Sequence, residues 1–270
     1  MIDHLIQAVI LGAVQGLTEF IPISSSGHLI IVRDFLGIPD QGNFFDAILH
    51  LATLAAILIY FRLDWMHMIS AWTNGNKVKR HTRLAKKLSI SILVATVPAL
   101  TIGWFANRWI EDTFRSLLTV GFLMIVVGLV FIVSEKMLKP RDDIKHLNWA
   151  RALGIGLAQA LAILPGISRS GATIVTGMYM NLKRDAAARF SFLMAAPIIA
   201  AAGGYSLYLA IQQGIIFNDW LFWLVAFLTS LGFGLLAIKF LLAFLKKYSL
   251  NVFAYYLILV GLIIWVIKIV

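Results

Sequence analysis

Polar groups gather at two places in this otherwise apolar chain: Q-G-L-T-E-F-I-P-I-S-S-S-G-H from Gln15 to His28, and P-G-I-S-R-S-G-A-T from Pro165 to Thr173. Gln15 and Glu19 are four residues apart and share one face of a helix. A carboxylate and an amide oxygen on one turn are hard ligands that suit Mg²⁺ or Ca²⁺, above all when phosphate oxygens and water complete the shell. Ser24, Ser25 and Ser26 precede Gly27 and His28 at an expected helix start, where free N–H groups and the helix dipole favour an anion. A serine there can be an activated nucleophile if His28 or Glu19 takes its proton, and one of the three can serve only as a cap. The second cluster offers the Arg169 guanidinium and the hydroxyls of Ser168, Ser170 and Thr173. Arginine is the side chain best shaped for two-point contact with phosphate, and without substrate an Arg169–Glu19 ion pair is expected. Asp46 and His50 read as a structural pair, Arg33 and Asp34 as a solvated turn. The set as a whole fits phosphoryl or diphosphoryl transfer from a lipid-borne substrate, driven largely by electrostatics.

The elements that must hold these groups lie in a membrane. Of the 270 residues 60% are hydrophobic and 13% charged, with a mean hydropathy of +0.88, which is more apolar surface than a soluble domain hides. Charged groups at that depth cost about 2.5–3.5 kcal/mol each even on lenient scales, so Glu19 needs a partner or a task. There is no cysteine, which excludes disulfide and thiolate chemistry. Met1 to Leu11 lacks a basic leader pattern and reads as part of the mature fold. The net charge of +10 sits in short loops between apolar runs, so lipid headgroups explain it and nucleic acid does not.

Apolar runs at 44–61, 87–106, 117–138, 190–211, 218–245 and 252–270 are each long enough to span. Segments 2–36 and 149–182 are instead broken by Pro22 to Gly27 and by Pro165 to Gly171. Helix, break, helix predicts a re-entrant hairpin in each. At an offset of 159 − 15 = 144, Gly12 falls on Gly156, Gln15 on Gln159, and Ile23-Ser24-Ser25-Ser26-Gly27 on Ile167-Ser168-Arg169-Ser170-Gly171. The expectation is an all-α membrane protein of six spans and two hairpins, built as two inverted repeats over 1–140 and 141–270. Basic loops at 62–87 and 135–151, Lys183, Arg184, Arg189, Lys239, Lys246 and Lys247 are expected to be cytoplasmic. Arg33, Arg108, Arg115 and Lys268, with acidic Asp34, Glu111 and Asp112, fall on the other side, and both termini outside. The hairpins then enter from opposite faces and their tips meet inside the membrane, where irregular backbone survives only if buried or lining a wet cavity.

The two motifs, with F-D-A-I-L-H-L-A-T at 45–53, resemble the bacterial undecaprenyl-diphosphate phosphatases of the bacitracin-resistance family over nearly the whole chain. The resemblance implies a cell-membrane enzyme that removes the terminal phosphate of undecaprenyl diphosphate, recycling the carrier lipid for peptidoglycan synthesis with a divalent cation. It implies metal or acid/base roles for Gln15 and Glu19, a nucleophile at Ser25, a base or alternative nucleophile at His28, and phosphate binding by Arg169 with Ser168, Ser170, Thr173 and the neighbouring Ser24 and Ser26. A site open to the outer face, the polyprenyl diphosphate and the bilayer as partners, and a homodimer as one form of assembly complete the expectations. Many members have Glu at the position of Gln15, so here Glu19 must carry more of the work. Ser26-Gly27-His28 also echoes the P-S-G-H element of another lipid phosphatase class, but no histidine follows Arg169, as that mechanism requires. Transport of the carrier lipid is the alternative that opposed hairpins suggest.

Overall fold

Proline and glycine end one helix and a serine begins the next at both broken segments. The computed structural model describes residues 2–73, 80–212 and 219–269. The first hairpin is α1 (Ile2–Phe20) and α2 (Ser25–Leu36), followed by α3 (Gly42–Tyr60), α4 (Arg62–Thr73), α5 (Arg80–Phe114) and α6 (Leu117–Met137). A single 3₁₀ turn, Ile144–His146, leads to the second hairpin, α7 (Trp149–Leu161) and α8 (Arg169–Tyr179). The chain ends with α9 (Arg184–Gln212), α10 (Trp220–Leu245) and α11 (Asn251–Ile269). Among the described residues there is no named strand, only one isolated bridge between Asp142 and Leu182.

Five helices are long and apolar enough to cross a membrane, or six if α3 and α4, bent by 73° at Phe61, are counted as one span. The expected loop at 62–87 is thus partly helical. Met68 and Ala71 bury one side of α4 while Leu63, Met66, Ile69 and Trp72 expose an apolar one, a pattern that suits a helix lying at a membrane surface. Lys77 and Lys79 of that loop lie outside the described residues, as do the side chains of Arg80, Arg108, Glu111 and Asp112.

Ion pairs and ring contacts sort the helix ends. At one end of the bundle His4 meets Asp219, Arg115 meets Asp40 and Lys268 meets Asp34. There Ala8, Ile38, Phe45 and Phe222 share one apolar cluster, so α1 begins and α2 finishes at the same end. At the opposite end Arg184 donates to Glu135 at 2.8 Å, Glu135 also receives the Leu250 N–H at 2.9 Å, and Arg189 pairs with Asp64. Arg151 holds Asp142 and Lys183 holds Asp143 at this end. Those hydrogen bonds keep both carboxyls below the usual carboxylate range. α7 starts and α8 finishes here, so the second hairpin also turns back, from the other side.

Each hairpin leans on a helix from the far half of the chain, α1 on α10 and α7 on α5. Glycine permits both approaches: a Cβ at Gly12 would sit 2.5 Å from the Ala226 carbonyl oxygen, and one at Gly156 2.4 Å from that of Ala95. Small residues let backbones close in where no hydrophobic force separates helix from lipid. α6 and α11 pack the same way, Gly121 against Gly261 and Gly128 against Ala254.

Candidate active site

The two tips are built alike. Ser24 and Ser168, 144 apart, cap α2 and α8, their hydroxyls accepting the N–H groups of Gly27 at 3.3 Å and Gly171 at 3.0 Å. Gly27 and Gly171 both abut α6, where a Cβ would come within 2.6 Å of Met124 and 2.5 Å of Phe131. α6 therefore carries both tips side by side. Ser24 has a φ of 72°, in the left-handed region that L residues rarely occupy, and such strain persists only where surroundings enforce it.

Glu19 is the hub. Its side chain is only 4% exposed, and Arg169 from the other hairpin donates to its Oε1 at 2.7 Å. Ser25 donates its hydroxyl to Oε2 at 2.7 Å, and the Gln15 amide nitrogen reaches the same oxygen at 2.9 Å. The Arg169–Glu19 pair expected in the absence of substrate is present. Breaking such a buried pair from one side strands a charge, at a cost of about 3–5 kcal/mol. Among the described residues two groups of the hub face no partner: Arg169 Nη1 and Gln15 Oε1 are buried without a hydrogen bond. One is a donor a phosphate oxygen can take, the other an acceptor a cation can take.

His28 stands one turn along α2 from Ser25, with Nδ1 2.7 Å from the Ser24 carbonyl oxygen and Nε2 2.7 Å from the Tyr256 hydroxyl. Its nitrogens are thus occupied while Ser25 is bonded to Glu19. Ser26 is exposed at the tip. Ser170 donates to the Ile21 carbonyl oxygen at 3.4 Å, stitching one tip to the other. Thr173 is turned inward to the Arg169 carbonyl oxygen and to Ser191, at 2.7 and 2.6 Å. Gln15, Glu19, Ser25 and Arg169 are thus brought together, whereas Ser24, Ser168, Ser170 and Thr173 shape the tips that hold them.

Two readings of the sequence need correction. Asp46 does not pair with His50: it takes both terminal nitrogens of Arg33, at 3.2 and 2.5 Å. Arg33 is not in a solvated turn either, being 7% exposed and lying over the Phe45 ring. A buried guanidinium needs a carboxylate more than a one-third exposed imidazole does. His50 is freed for the site, with Nδ1 2.9 Å from the Gln15 amide nitrogen and 3.6 Å from Glu19. The Gln15 nitrogen only donates, so in the neutral ring His50 Nδ1 carries the lone pair and Nε2 the proton. His50 and Tyr256 are the site residues that sequence reasoning missed. His50 at least lies within the F-D-A-I-L-H segment; Tyr256, 228 residues from its partner, carries no local signal.

Among the described residues no three His, Asp or Glu side chains converge as a metal cluster. The unpartnered Gln15 oxygen is one hard donor, and Glu19, whose oxygens are held by Arg169, Ser25 and the Gln15 amide nitrogen, would join it on giving up one of those contacts. Mg²⁺ held by one or two protein oxygens plus substrate phosphate needs no more than that.

Residues 8–263 match the family model described as bacitracin resistance protein BacA. The chain is 46% identical over 257 residues to the undecaprenyl-diphosphatase of Rubrobacter xylanophilus, covering 94% of each. It is 43% identical over 268 residues to that of Chlorobaculum tepidum, covering 96% of this chain and 95% of the relative. With that of Halothermothrix orenii it shares 38% identity over 261 residues and 97% of both chains.

Proposed function

The chain belongs to the bacitracin resistance protein BacA family, and from that membership and the hub at Glu19 we infer that it is a multi-pass membrane phosphatase acting on undecaprenyl diphosphate. It releases the terminal phosphate and returns undecaprenyl phosphate to the carrier pool used in cell-wall synthesis. The observation that carries the reading is the Ser25 hydroxyl donating to a carboxylate whose other oxygen is held by Arg169 from the opposite hairpin.

The chemistry follows from those contacts. The terminal phosphate binds at the start of α2, with Arg169 Nη1 and the free N–H groups there as donors. Ser25 Oγ attacks phosphorus, its proton passes to Glu19 Oε2, and the bond to the bridging oxygen breaks to release undecaprenyl phosphate. Once Glu19 is neutral, its grip on Arg169 weakens, and the guanidinium can follow the charge onto the phosphoryl oxygens. Water then attacks phosphoserine. The proton of that water ends on His28 Nε2, delivered through the hydroxyl bonded to it, Ser25 recovers its own proton from Glu19, and inorganic phosphate leaves. A divalent cation, Mg²⁺ or Ca²⁺, would be held by Glu19 and Gln15 Oε1 and would supply charge neutralisation for the phosphates.

The orientation is part of the same reading. The end bearing Arg151, Lys183, Arg184 and Arg189 is cytoplasmic by charge, so both termini lie outside and the site opens toward the outer face. The exchange of α1 and α7 between the halves supports two inverted repeats, 1–140 and 141–270. Purified protein in detergent with Mg²⁺ should release phosphate from an isoprenyl diphosphate and stop on addition of EDTA. Release indifferent to EDTA removes the cation from this account, and no release at all removes the phosphatase.

A further inference from the structure

His28 is gripped from two sides, and nothing assigned to Ser25 or Glu19 explains the second grip. The Ser24 carbonyl oxygen, 2.7 Å from Nδ1, can only accept, so Nδ1 carries a proton in either charge state of the ring. The neutral ring therefore keeps its lone pair on Nε2, and the Tyr256 hydroxyl, 2.7 Å away, donates to it. When the ring is protonated, Nε2 gains an N–H and the same hydroxyl accepts. A phenol serves both states without moving. The two rings are also parallel within 10°, with centroids 5.6 Å apart, so the ring plane is fixed as well as the hydrogen bond.

The placement of Tyr256 supports a task. It lies on α11 between Ala254, packed on Gly128, and Gly261, packed on Gly121, which sets it level with the middle of α6 and with the tips that α6 carries. A phenol hydroxyl at that depth needs a polar partner, and the one it has is His28. We propose that Tyr256 is the proton relay to His28 in this hydrolysis: its hydroxyl takes the water's proton as it passes its own to Nε2, the two transfers run backwards when the proton is released, and the ring keeps one orientation and one tautomer throughout. The inference rests on the role given to His28 above.

Tyr256→Phe keeps the ring and removes only the oxygen. With an isoprenyl diphosphate in detergent, kcat should fall ~10-fold, a part of what acid–base catalysis usually supplies, while KM stays within about twofold and the thermal midpoint is unchanged. The decisive comparison is the same change in a His28→Ala background, where it should cost nothing more, because a residue that acts through another has no effect once that other is gone. Wild-type kcat in Tyr256→Phe, or an equal loss in both backgrounds, overturns the proposal. Full turnover in His28→Ala or in Ser25→Ala refutes the underlying reading instead, so the two failures are told apart.

Discussion

Set side by side, the two hairpins share their framework and differ in their chemistry. At the 144-residue offset, Gly12 and Gly156 each let a helix approach a carbonyl, Ser24 and Ser168 each cap a helix, and Gly27 and Gly171 each press on α6. The reacting positions have gone separate ways. Glu19 falls on Ile163, Ser25 on Arg169 and His28 on Ala172. In the proposed reaction one tip keeps the base and the nucleophile and the other the cation, so neither hairpin holds a whole site. The Glu19–Arg169 contact joins the two tips and is, on the proposed mechanism, the centre of the reaction as well.

The largest effect should come from that seam. Arg169→Lys keeps the charge but loses the fork that spans Glu19 and a phosphate oxygen, and kcat/KM should fall ~100-fold on the usual worth of such an electrostatic contact. Undiminished turnover in phosphate-release assays would mean that the second hairpin lends only shape.

The matched glutamines sharpen the contrast. Gln15 donates to Glu19 and His50, whereas both amide atoms of Gln159 are buried without a partner among the described residues. Gln159→Leu should therefore raise the thermal midpoint, since an unsatisfied buried amide costs about 1–3 kcal/mol, and turnover should persist. Gln15→Leu should lower turnover and raise the cation concentration needed for half-maximal rate. Equal behaviour of the two variants would erase the distinction between a working and a silent copy.

The smallest effect tests what the hairpins share. Gly12→Ala and Gly156→Ala each force a methyl against a backbone carbonyl and should lower stability by similar amounts, about 1–3 kcal/mol as for other overpacked contacts. Denaturation of the two variants checks this, and a loss in one alone would show that the framework is not matched.

The two broken segments were legible in the sequence, with helix ends within about three residues, because their signals are local: proline and glycine end a helix, serine starts one, and the interval repeats. Glu19 and Arg169 were legible as partners because an unpaired charge at that depth is costly. The errors came where a partner is chosen by the fold. Asp46 had His50 at helical spacing but found Arg33 on α2, and Tyr256 reached His28 from the far end of the chain. The end of the span at Phe61 was legible because Arg62 and Asp64 follow it, but the helix that continues from Arg62 to Thr73 was not, since those same charges read as a loop.

Attack of Ser25 on phosphorus, with Glu19 as its base, requires a phosphorylated enzyme that can be trapped. Protein mixed with an isoprenyl diphosphate labelled in its terminal phosphate and quenched in acid should retain an acid-stable label on the peptide containing Ser25. The label should be absent in Ser25→Ala. An acid-labile label on His28, or turnover with no phosphorylated enzyme and an active Ser25→Ala variant, would contradict it.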